Sequence, residues 1–268
     1  MPLDNGKVMI PWPLAEEILT LSLTAPTLRL AFSMLHRLDL EGVCGPNGPE
    51  ECPLIWAGGG LLRERVGPKG SNDARTIRAA AEALTHAGVL ERANLLENAT
   101  KLQWQFSTWV WYHMRNRDPS NYVLVDLEEL GRFRSTYRIS LYLIARKVRG
   151  SNAPQFEIRY DNNISEEANI RRLWSGLRLV SEVLGVICYS GLEMRSDIPA
   201  PDCFKVKMRH AATLWRHRNY AQFDRPKMVW RVDRSGHAPF ISRSINENLG
   251  DPIDLAEQGL DQQVISGA

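Results

Sequence analysis

Apolar residues recur along this chain at two periods, helical and strand-like, and Gly, Pro or Asn marks most of the changes between them. Pro13 with Leu14, Ile18, Leu19 and Leu21 predicts a short helix. Thr24-Ala-Pro predicts the start of a second, with Leu28, Ala31, Phe32, Leu35 and Leu38 at helical spacing and Gly42 as its stop. Residues 43–53 read as a loop, and Leu54-Ile55-Trp56 as a short strand broken by Gly58-Gly59-Gly60. A short helix around Arg63 ends by Gly67-Pro68. Ser71-Asn72-Asp73 supplies cap chemistry for a helix whose buried stripe is Ile77, Ala80, Ala81 and Leu84, running to His86 and ended by Gly88. Two strand-like runs, 89–92 and 101–106, follow around the turn formers Asn94 and Asn98. Helix, helix and two-stranded ribbon is the order of a winged helix.

The same order returns further along. Tyr122 to Val125 reads as a strand, and Leu127 to Leu130 as a turn of helix closed by Gly131. Ser135 caps a helix carrying Tyr137, Leu141, Ile144, Ala145 and Val148. Residues 155–159 read as a strand, although their spacing also admits a short helix. Ser165-Glu166-Glu167 starts a long helix with Ile170, Leu173, Trp174, Leu177, Val180, Val183 and Leu184 on one face and Gly185 at its end. Residues 186–189 and 204–208 then form a second hairpin, with Pro199 and Pro201 in its long tip. The chain is therefore expected to be α+β, with winged-helix domains at 1–118 and 119–210 and an extension at 211–268. No residue-level repeat accompanies the repeated order.

Composition places the chain among packed globular proteins: 268 residues, 44% hydrophobic and 24% charged. No apolar run approaches the ~20 residues of a membrane span, and the first residues lack the order of a secretory signal. A cytoplasmic location without a membrane partner is expected. Cys44, Cys52, Cys188 and Cys203 are scattered without a CxxC or a Cys/His cluster, so thiols are expected in place of a zinc site or disulfides.

The net charge of +2 hides segregation. Residues 1–60 hold three basic residues (Lys7, Arg29, Arg37) against seven acidic ones. Residues 131–150 hold Arg132, Arg134, Arg138, Arg146, Lys147 and Arg149 and no acid. Residues 205–234 hold nine basic residues against Asp224 and Asp233, and the tail after Arg243 is acidic. Such separation suits a protein with one face for a polyanion. It equally suits stretches that neutralise each other across a fold.

The run from Tyr122 to Tyr142 resembles the junction between the two winged helices of iteron-binding plasmid replication initiators. Ser135, Tyr137, Leu141 and Tyr142 match that family's pattern, whereas Ser140 stands where the family has Arg. Asn169-Ile-Arg-Arg-Leu-Trp174 and the 204–208 strand look like its Arg-bearing helix and basic hairpin. The resemblance spans 14–208 and is sharpest from 122 to 190. It implies binding of double-stranded DNA at the direct repeats of an origin, a homodimeric form, and host replication proteins as partners.

A recognition helix needs long donors near its N-terminal half and apolar residues behind, because the major groove displays a distinct pattern for each base pair. Arg171 and Arg172 occupy that position, with Trp174 and Leu177 behind; a solvated helix face would look the same. Arg132, Arg134, Arg146, Lys147 and Arg149, with Lys205, Lys207 and Arg209, are the candidate phosphate contacts. Lys69, Arg75 and Arg78 are the candidates in the first module, where the family resemblance also implies a helix turned toward protein. Trp215, Arg216, His217, Arg218, Tyr220, Phe223, Lys227, Trp230 and Arg231 interleave aromatic and basic residues. That pattern suits stacking on nucleic acid, and suits better an extension anchored on the second module.

No HExxH, GxSxG, GxxxxGK[ST] or GxGxxG motif occurs, and His36, His86, His113, His210, His217 and His237 have no ligand spacing. Catalytic residues, cofactors and metals are accordingly not expected. A winged-helix transcriptional regulator is the alternative function, and a protein-binding scaffold a third.

Overall fold

The structure is a computed structural model and describes residues 6–66, 74–96, 100–193, 203–210 and 226–240. The chain divides into two compact units, 1–150 and 151–268. The division falls after the basic helix of 136–148 and not at 118/119, and the reason is a strand at the start of the chain.

In the first unit, β1 (Lys7–Pro11) pairs antiparallel with β5 (Tyr122–Asp126), in register from Lys7–Asp126 to Pro11–Tyr122. Val8 and Ile10 alternate inward, as do Val123 and Val125, so the pair has one buried face. α1 (Trp12–Thr20) follows directly. α2 (Ala25–Leu40) is capped by the Thr24 side chain, which accepts from the Thr27 amide, and is buried along most of its length. β2 (Ile55–Gly58), β4 (Lys101–Phe106) and β3 (Leu90–Leu96) form a sheet in that order, with α3 (Gly59–Val66) and α4 (Ala74–His86) between β2 and β3. Leu102, Trp104 and Phe106 alternate inward on β4 and are fully buried. Each such side chain contributes about 1.5–3 kcal/mol of transfer free energy. α5 (Thr108–Arg115), α6 (Leu127–Gly131) and α7 (Thr136–Val148) complete the unit. β1 and α5 carry no signal that the sequence reading used.

In the second unit, β6 (Gln155–Arg159) is a strand, which resolves the strand-or-helix ambiguity there. It pairs with β8 (Cys203–His210), which pairs in turn with β7 (Val186–Glu193). α8 (Glu166–Leu184) lies between β6 and β7. Its Ser165 cap accepts from the Ala168 amide, and Gly185 stops it at φ 63° in the left-handed region. β9 (Pro226–Asp233) and β10 (Gly236–Phe240) extend the sheet to the order β10-β9-β7-β8-β6. The expected two-stranded hairpin is thus the middle of a five-stranded sheet, because part of the stretch read as an extension is strand. No described helix is long and apolar enough to cross a membrane.

A Cβ at Gly185 would meet nothing within 4 Å, so its cost is backbone conformation alone. Gly185→Ala is expected to lower stability by about 1–2 kcal/mol. An unchanged urea unfolding midpoint would refute the left-handed stop.

Candidate nucleic-acid interface

α8 is amphipathic, and its placement begins in the turn before it. Asn169 is buried; its Nδ2 donates to the Asp161 carbonyl at 2.8 Å and its Oδ1 accepts from the Asp161 amide at 3.1 Å. Those bonds satisfy the backbone of the 161–165 turn and set the angle at which the helix leaves it. Leu173, Leu177, Val180 and Leu184 are buried against the sheet. Trp174 is half-buried and stacks on His237 of β10, ring centres 3.9 Å apart. Ser181 Oγ donates to the Val232 carbonyl at 3.2 Å, a second tie between α8 and the β9–β10 hairpin.

The other face carries cations. The Arg171 side chain is 75% exposed and pairs with Glu167 one turn back at 2.5 Å. Arg172 is 44% exposed and reaches Asp161 at 3.3 Å. Both pairs lie in solvent and are worth little. Arg178, exposed and seven residues after Arg171, extends the same face. The sequence reading missed it, although helical spacing from Arg171 was the signal that would have found it.

On β8, Lys205 and Lys207 are half-buried and alternate with buried Phe204, Val206 and Met208. Glu157 of β6 lies opposite Lys205, and Gln155 opposite Lys207. Arg209 departs from the expectation. It falls on the Lys205–Lys207 side of the β8 alternation, yet it is 5% exposed and does not present its guanidinium to solvent.

The basic run after residue 130 belongs to the first unit. Arg132 and Arg134 are exposed in the α6–α7 turn. Arg146 is held inside: its side chain is 12% exposed, Nε donates to the Leu124 carbonyl at 3.0 Å, and Nη1 lies 3.6 Å from Glu129. Lys147 Nζ donates to Asn121 Oδ1 at 2.7 Å. These two tie α7 to β5 and the loop before it, where the sequence reading had phosphate contacts. Arg149, half-buried, follows the last turn of α7. Arg75 and Arg78 are exposed on α4, and Arg78 lines a groove of about 970 Å³ with Glu82, His86 and Arg92. Lys69, the 71–73 cap, the 199–201 tip, residues 215–223 and the acidic tail lie outside the described residues.

The residues that carry the family resemblance serve packing. Tyr142 is buried on α7, and its hydroxyl donates to Glu129 Oε2 at 2.8 Å and accepts from the Asp126 amide at 3.2 Å. Burial, and then the Glu129 carboxylate, hold its phenol protonated well above the usual range. Ser135 caps α7 through the Arg138 amide, and Ser140 donates to the Thr136 carbonyl. The four cysteines form no disulfide; burial pushes the Cys44 and Cys188 thiols up to about 12 and Cys52 up to about 11. Among the described residues no group of three His, Cys, Asp or Glu side chains could hold a metal ion.

Arg209→Ala is expected to destabilise the protein by about 1–3 kcal/mol, whereas Lys205→Ala stays within about 0.5 kcal/mol. Equal melting temperatures for the two variants would overturn the different placements given to these side chains.

No protein-family model matches the sequence, and no curated protein matches it. Among solved structures the chain is similar to the crystal structure of the Pi initiator protein in complex with iteron DNA. That likeness has a TM-score of 0.60, covers 77% of this chain and 98% of that one, and comes with 12% sequence identity. At such identity what is shared is the fold: the α+β architecture of this chain is that of the Pi initiator protein.

Proposed function

We propose that this chain is a sequence-specific double-stranded DNA-binding protein that initiates plasmid replication at tandem direct repeats. The observation that carries the reading is the exposed Arg171–Arg178 face of α8, on a fold shared with an initiator whose crystal structure contains iteron DNA. On this reading α8 enters the major groove, which is wide enough for a helix. Arg171, Arg172 and Arg178 are the base-reading donors, since Arg presents a rigid fork to the O6 and N7 acceptors of guanine. Leu173 and Leu177 hold the helix to its sheet, and the Trp174–His237 stack braces its flank.

Lys205 and Lys207 supply phosphate contacts that set register without reading sequence. In the first unit Arg132, Arg134, Arg149, Arg75 and Arg78 are the candidates for the same task, and α4 is also the candidate surface for a second copy of the chain. Lys69 belongs with them by its place before α4 in the sequence. Arg209, Arg146 and Lys147 are left out because of burial or internal bonds. The protein works in the cytoplasm, without a cofactor, as a binder that distorts the origin and helps to recruit host replication proteins.

Affinity for duplexes carrying direct repeats, inverted repeats or random sequence tests the reading. Arg171→Ala and Arg172→Ala are each expected to reduce discrimination between repeat and random DNA by about 1–3 kcal/mol. Lys205→Ala is expected to weaken both alike and to flatten the slope of log K against log salt by about 0.9. Preference for a single inverted repeat would favour a transcriptional regulator, and affinity without salt dependence would end the DNA-binding reading.

A further inference from the structure

Arg29 sits in the second turn of α2 and is 8% exposed. Its Nη1 reaches the Gly131 carbonyl at 3.5 Å, the outer limit of a hydrogen bond, and its Nε is buried with no hydrogen-bond partner. No carboxylate among the described side chains pairs with it. An arginine cannot shed its proton under ordinary conditions, so a buried guanidinium without an anion is costly. Its surroundings raise that cost. Burial, and then the like charge of Arg134, pull its pKa down. Of the acids at α6, Asp126 caps that helix, Glu129 accepts from Tyr142 and pairs with Arg146, and Glu128 is exposed.

Two helix starts meet at the same place. Thr136 Oγ1 donates to the Leu23 carbonyl at 2.8 Å, which fastens the first turn of α7 to the residue before the Thr24 cap of α2. Each start carries partial positive charge on its amides, and side chains on a helix lean toward its N-terminus. Arg134 is exposed in the adjoining turn. A buried cation, an exposed cation and the ends of two helices thus converge, with no counter-charge among the described side chains.

We propose that Arg29, Arg134 and the start of α7 form a binding site for a phosphate oxyanion, and that its occupant is a backbone phosphate of duplex DNA. The choice of occupant rests on the DNA-binding reading above; the site itself does not. Arg29 supplies a fixed, desolvated donor, and Arg134 closes on the anion from solvent. Because the donor is fixed before binding, little side-chain freedom is lost when the phosphate arrives.

The full chain is compared with its Arg29→Met, Arg29→Lys and Arg134→Ala variants by thermal melting, with and without inorganic phosphate at constant ionic strength, and by affinity for repeat and random duplexes at several salt concentrations. Phosphate is expected to raise the melting temperature of the parent chain and not that of Arg29→Met. Without phosphate, Arg29→Met is expected to melt no lower than the parent, since an apolar side chain of similar length removes an uncompensated buried charge. Arg29→Met and Arg134→Ala are each expected to weaken both duplexes roughly tenfold and to flatten the salt slope by about 0.9, with Arg29→Lys partly restoring affinity. A much lower melting temperature for Arg29→Met together with an unchanged salt slope for Arg134→Ala would make Arg29 a purely structural residue. A phosphate response with unchanged salt slopes would make free phosphate the occupant and overturn the DNA assignment. Should the parent chain bind no duplex at all, the DNA-binding reading fails by itself, and the phosphate response decides whether the oxyanion site survives.

Discussion

The antiparallel pairing of β1 with β5 holds the first unit together across more than a hundred residues of sequence. It brings the start of the chain back against residues 122–126 and buries Val8, Ile10, Val123 and Val125 on one face. Once β5 is held there, α6 and α7 must pack beside it, because Tyr142 and Arg146 both bond to the β5–α6 corner. The basic helix therefore belongs with the first half of the chain. The meeting of the α2 and α7 starts around Arg29 is a consequence of the same pairing.

The second unit is organised around α8. Its N-terminus is set by Ser165 and Asn169, its C-terminus by the left-handed Gly185, and its buried side by the apolar stripe from Leu173 to Leu184. These three constraints leave Arg171, Arg172 and Arg178 facing outward on a helix that cannot easily rotate. β9 and β10 add a lateral brace through Val232 and His237. The DNA-binding role proposed for α8 would require such rigidity, because bidentate recognition of a base edge tolerates little angular error.

Arginine serves three purposes in this fold. Arg171 and Arg178 are outward and solvated, Arg146 is an internal tether, and Arg29 is a buried cation with no carboxylate partner among the described side chains. Only the first sort was legible from residue type and spacing. Sequence periodicity says which residues share a face of a helix, but whether that face meets water or another element depends on contacts made by distant segments. Arg209 illustrates the limit: strand alternation with Lys205 and Lys207 suggested one solvated set, yet the last residue of the three is covered.

The sequence by itself determined the local elements that carry strong period and cap chemistry. β4, α7 and α8, with the Ser135 and Ser165 caps and the Gly185 stop, follow from interactions within a few residues, and so does the α+β order of helix then ribbon. It also determined the apolar and cationic sides of α8, since that helix packs by the stripe its own spacing creates. Tertiary structure alone decided the partner of β5, the unit to which α7 belongs, the incorporation of β9 and β10 into the sheet, and the burial of Arg29 and Arg209. Each of those depends on pairing between segments far apart in the chain. Backbone hydrogen bonds in such pairs are the same for every residue type, so side-chain patterns carry little information about which strands will meet.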